Sequence, residues 1–145
     1  MNHLRHIPLL SLAAATVLLF ASASVRAADV KIIANDSVQA SSVSPDELKR
    51  VFLLTKNSLE DGSRAEPVLL KGGAAHEAFL REFLGKTDSA LQTYYRSLVF
   101  TGKASMPKTV STDAEVVSFV VRTKGAIGYI SVSSIAPGAK TLEVK

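Results

Sequence analysis

The sequence predicts an α/β domain in which helices cover a mixed, largely parallel sheet. Short runs of β-branched and other apolar residues alternate with segments whose apolar residues recur at helical spacing. Two of those segments open with a capping box, Ser44 to Glu47 and Thr112 to Glu115. Between them, Glu66 to Gly85 reads as strand, glycine turn and helix in direct succession.

Asp29 to Asn35 contains Val30, Ile32, Ile33 and Ala34 and ends in Asn35-Asp36-Ser37, which predicts a buried strand followed by a turn. At Val43-Ser44-Pro45-Asp46-Glu47-Leu48, Ser44 suits an N-cap, Pro45 the first helical position and Glu47 the third. Leu48, Val51 and Phe52 give this helix one apolar face. Thr55 to Arg64 is polar, with Asp61-Gly62-Ser63 as a turn signal, and predicts a surface loop or hairpin tip.

Val68, Leu69 and Leu70 then form a strand, Lys71-Gly72-Gly73 a turn, and Ala74 to Leu84 a helix with Phe79, Leu80, Phe83 and Leu84 on its inner side. Two glycines here let the backbone reach positive φ and leave N–H groups pointing outward at the positive end of a helix, an arrangement suited to anions. The ligand-binding residues this singles out are Lys71, Gly72, Gly73, Ala74, Ala75 and His76. The plain alternative is a connection that binds nothing.

Gly85 suits a helix C-terminus, and the next helix places Leu91, Tyr94, Tyr95, Leu98 and Val99 on one face, with both tyrosines as core aromatics whose hydroxyls reach water. Phe100 to Lys108 reads as a long, basic, solvated connection. Val116, Val117, Phe119, Val120 and Val121 fit either a helix or a strand, and the cap in front with Gly125 behind decides for a helix. Ile127-Gly128-Tyr129-Ile130 is a short strand whose glycine implies that another backbone or a ligand passes close. Thr141 to Lys145 alternates as a half-exposed terminal strand.

Residues 1–27 carry a basic start, an apolar run from Ile7 to Ala21 and a small-residue end at Val25-Arg26-Ala27, the pattern of a cleavable secretory signal peptide. The expected product is a single periplasmic domain, residues 28–145, with no stable membrane insertion after cleavage. Cleavage removes two of the 17 Lys and Arg and none of the 13 Asp and Glu, leaving 15 against 13. So balanced a domain offers no electrostatic basis for nucleic-acid binding. The chain has no cysteine, and His76 is the one histidine after the signal, so thiolate metal sites are excluded and no metal or cofactor is expected. His76-Glu77 is followed by Leu80 where a zinc-protease helix needs its second histidine, and Gly72-Gly73 lacks the Gly-Lys-Ser/Thr ending of a nucleotide loop. A non-enzymatic role is expected.

Three stretches carry a family resemblance: Leu48-Lys49-Arg50-Val51-Phe52-Leu53 leading to Asp61-Gly62, Pro67-Val68 leading to Phe79, and Gly125-Ala126-Ile127-Gly128-Tyr129-Ile130. Over Val30 to Ser131 the chain resembles the phosphate-type substrate-binding proteins of ABC transporters, whose fold is the type 2 periplasmic binding protein, and specifically a short subfamily equivalent to about one lobe. The resemblance implies binding of phosphate or a similar inorganic oxyanion in association with ABC-type transport. It also implies an ABC transporter permease or another envelope protein as partner. The family's phosphate motif, Arg-x-Asp-Gly-Ser-Gly-Thr, matches at Gly72 only; Leu69, Lys71, Gly73 and Ala75 stand at the arginine, aspartate, serine and threonine positions. The family's tryptophan before the Asp-Gly turn is Leu59 here, and its glycine after Phe-Leu is Leu54. Lys71, His76 and backbone N–H groups are the donors left to substitute. The competing expectation is a ligand-free interaction module of the same fold.

Overall fold

The computed structural model describes residues 29–145, so the expected signal peptide lies outside the described residues. Strand β1 is Val30–Ala34, β2 Ser42–Val43, helix α1 Pro45–Phe52 and β3 Glu66–Leu70. Helix α2, Ala74–Phe79, runs directly into a π-helical turn, Leu80–Leu84. Helix α3 is Asp88–Phe100, β4 Lys108–Val110, α4 Asp113–Arg122, β5 Ala126–Ser131 and β6 Lys140–Val144. The strands form one six-stranded sheet in the order β2-β6-β1-β5-β3-β4. β1 is antiparallel to both neighbours, with Ile32 opposite Tyr129 and Leu142, and the pairings β3–β4, β3–β5 and β2–β6 are parallel. The α/β class and the mixed, mostly parallel sheet are as expected.

Both capping boxes form. Ser44 Oγ accepts the Glu47 N–H at 3.1 Å, and Glu47 accepts the Ser44 N–H at 2.9 Å. The second carboxylate oxygen of the buried Glu47 accepts the Glu60 N–H at 2.8 Å, which ties the 55–64 loop to the start of α1. Thr112 Oγ1 accepts from Glu115 N–H, while Glu115 accepts from the N–H groups of Thr112 and Ser111. The 55–64 segment is a hairpin tip, closed by a Ser58–Arg64 bridge, with Gly62 at φ +85° and the Asp61 carboxylate accepting from Ser63.

β5 is buried on both faces because successive side chains point to opposite sides. Tyr129 faces α2 and stacks on Phe79, with ring centroids 3.9 Å apart. Gly128 faces α4, where a Cβ would lie 2.7 Å from Val68 Cγ1 and 2.8 Å from Val116 Cγ1. The close neighbours at Gly128 are the side chains of two valines and, at 3.5 Å, the carbonyl oxygen of Val68, so the backbone expected there does pass close. The structure departs from the sequence reading in other places. Phe100 belongs to α3 and Lys108 to β4, so the connection is shorter than expected, and the two-residue β2 had no sequence signal. The tyrosine hydroxyls are not in water: Tyr94 donates to Leu53 O at 2.7 Å and Tyr95 to Phe52 O at 2.6 Å, satisfying carbonyls that the end of α1 leaves open.

Candidate functional site

The parallel strands β3 and β4 each lead into a helix from their carboxyl ends, so the N-termini of α2 and α4 lie at the same end of the sheet. The turn between β3 and α2 is attached to β4 by the Lys71 N–H, which donates to Val110 O at 2.8 Å. The two helix starts differ in how they are closed. α4 carries its own side-chain cap, but α2 begins at Gly73, which has no side chain to offer. The first intrahelical bond of α2 runs from Glu77 N–H to Gly73 O, so the N–H groups of Ala74, Ala75 and His76 precede the helical ladder. Lys71, Gly72, Gly73 and Ala74 are exposed and Ala75 is half-buried. Gly73 sits at φ +94°, a conformation that an L side chain would strain, whereas Gly72 has an ordinary φ and open space around its Cβ direction.

Lys71 brings the cation of the site, and it has an acidic neighbour in Glu115. The Glu115 carboxyl is held below its ordinary pKa first by the Ser111 and Thr112 N–H groups, with the charge of Lys71 adding to them.

His76 was expected to help hold an anion, but its side chain is 2 % exposed and engaged on both sides. Its Nδ1 lies 2.6 Å from Tyr129 Oη and its Nε2 2.8 Å from Asp88 Oδ1. Tyr129 Oη accepts the Leu70 N–H at 3.1 Å, which directs the hydroxyl proton to Nδ1 and leaves Nε2–H to donate to Asp88. This chain of bonds links the end of β3, the first turn of α2, β5 and the start of α3. It fixes the turn from beneath, and the groups of His76 that face the turn are those of its backbone. Nothing local signals the network, since Tyr129 lies 53 residues from His76 in sequence.

Burial pushes the Tyr129 hydroxyl above the ordinary tyrosine value, partly opposed by the Leu70 N–H, and burial raises Tyr95 as well. A raised pKa means that the folded state holds these protons more tightly than the unfolded chain. Their contribution is complete below the ordinary value near 10 and is lost as pH rises beyond it. Melting curves are therefore expected to fall above about pH 10. The fall should be shallower in Tyr95→Phe, and an equally steep fall in that variant would contradict the assignment.

Among the described residues, no group of three or more His, Asp or Glu side chains is placed to hold a metal ion, and no helix is long and apolar enough to cross a membrane.

No protein-family model matches the chain, and no curated protein matches it. Solved structures share its fold. PstS from Borrelia burgdorferi superposes with a TM-score of 0.62 at 15 % identity, over 81 % of this chain and 47 % of that one. An ABC-type phosphate transport receptor from Vibrio cholerae gives 0.53 at 13 % identity, over 80 % of this chain and 46 % of that one. The likeness is one of fold, and this chain spans less than half the length of either neighbour.

Proposed function

We propose that this protein is an exported solute-binding domain that holds phosphate or a similar inorganic oxyanion at the Lys71–His76 turn, in association with ABC-type transport. The observation that carries this reading is the uncapped start of α2. Three backbone N–H groups without helical partners stand beside an exposed lysine at the carboxyl end of parallel strands, where open α/β sheets place their ligands. The fold shared with phosphate-transport proteins supports it. Leu69 is buried in β3 and Ala75 has no hydroxyl, so recognition would rest on backbone donors and one ammonium group. Such a site, open to water, is expected to bind in the micromolar range or weaker, about 8 kcal/mol of free energy or less.

Calorimetry of the purified protein with phosphate and sulfate tests the reading, together with thermal-shift titration, because a ligand of the folded state alone raises stability by RT ln(1 + [L]/Kd). Gly72→Asp puts a carboxylate at the turn without requiring a strained φ, and it should abolish the anion-dependent shift while the protein stays folded. Lys71→Ala should cost about 1 kcal/mol of binding or less, as expected for one exposed charge contact. An undiminished shift in Gly72→Asp would place the anion elsewhere. No heat with any oxyanion would replace this reading with that of a ligand-free interaction module.

A further inference from the structure

A groove of about 770 Å³ lies at the opposite end of the sheet from Lys71, against the amino ends of β3 and β4. Four cations line it, Lys56, Arg64, Lys103 and Lys108, against the single carboxylate of Glu66, which pairs with Arg64 at 3.4 Å. Its apolar lining includes Leu54, Pro67, Met106 and Pro107. The two prolines stand at the entrances to β3 and β4 and stiffen the walls.

Leu54 adds an apolar group to this basic groove. It is the one non-glycine residue with positive φ among the described residues, at +59°. Glycine takes that conformation without strain, whereas leucine pays for its Cβ. The side chain is only half-buried and lines the groove. The left-handed turn at Leu54 closes α1, with Leu54 N–H donating to Val51 O at 3.0 Å and Thr55 N–H to Arg50 O at 3.0 Å, and it leaves a side chain that packs on the core and also lines the groove.

We infer that this groove docks an acidic segment of a partner protein, an extended peptide carrying several carboxylates and interspersed apolar side chains. Charge complementarity selects the sign: four cations oppose one carboxylate. Size argues against a lone inorganic anion, since the volume is that of a site for a much larger ligand. The hollow shape does not fit a flat bilayer. No aromatic side chain lines the groove, so nothing is there on which nucleic-acid bases would stack. The surface shares no residue with the Lys71–His76 turn, and the two sites stand or fall separately.

The test uses the purified protein and a fluorescein-labelled dodecapeptide of four Asp-Glu-Leu repeats, followed by anisotropy. Saturable binding is expected at low salt, weakening at least severalfold on going to about 0.5 M salt as the charges are screened. The double reversal Lys103→Glu with Lys108→Glu should weaken binding at least about tenfold, whereas Arg81→Glu with Lys145→Glu, an equal change in charge at exposed residues outside the groove, should leave it within about twofold. Leu54→Gly keeps the left-handed turn and removes the apolar side chain, and should weaken binding severalfold. Absence of binding, or equal loss in the two double variants, would overturn the proposal. So would tighter binding of oligothymidylate or of phosphatidylglycerol vesicles than of the peptide. A Leu54→Gly protein that binds normally would make Leu54 a purely structural residue and overturn its part in the groove.

Discussion

Phe79→Ala is expected to lower the free energy of unfolding by about 3–5 kcal/mol, the range for truncating a fully buried aromatic side chain. Phe79 is fully buried and joins three other rings, with centroids 3.9 Å from Tyr129, 4.7 Å from Phe52 and 5.3 Å from Phe83. These rings belong to β5, α1 and the π-helical turn, so the cavity would open where both helical segments meet the sheet. None of these neighbours has a free route to fill it, because each is itself buried. Against a typical domain stability of about 5–15 kcal/mol, the variant should sit near its unfolding threshold. Urea titration checks this through a lower midpoint at unchanged slope. A loss below about 1 kcal/mol would show that the cluster collapses around the gap, contrary to this packing.

Tyr129→Phe is expected to cost about 2–4 kcal/mol, although it removes a single oxygen atom. The ring and its stacking on Phe79 are preserved, so the cost comes from the partners left behind. Leu70 N–H loses its acceptor and His76 Nδ1 loses its donor, both in the interior. Each orphaned buried group costs about 1–3 kcal/mol. His76→Leu should also destabilise, since it strands the Tyr129 proton and releases Asp88 from α2. Because the two residues share one bond, the double variant should fall short of the summed losses by at least about 0.5 kcal/mol. Strict additivity in denaturant titrations would show that the Tyr129–His76 contact carries no energy.

The sequence by itself determined the elements whose stabilising groups lie within one turn of each other. Ser44 with Glu47 and Thr112 with Glu115 are capping pairs three residues apart, and both helix starts lie where those pairs put them. Gly85 ends the π-helical turn in the left-handed conformation, and the Lys71-Gly72-Gly73 turn joins a buried strand to a helix as its composition implies. The same locality made the uncapped start of α2 legible, since no residue at Gly72 or Gly73 carries a capping side chain. Tertiary structure alone decided the rest. Lys108–Val110 has one strongly apolar residue and becomes a strand by pairing in parallel register with Val68–Leu70, about forty residues away. Ser42–Val43 is a strand only because β6 supplies its partner. The tyrosine hydroxyls of α3 found the open carbonyls of α1 rather than water, and His76 turned inward because Tyr129 and Asp88 converge on its two ring nitrogens. A residue's periodicity records which face it shares with its sequence neighbours. The hydrogen-bond partner it meets across the core is set by how the sheet and helices pack, because a buried polar group must take whichever donor or acceptor the fold brings within about 3 Å.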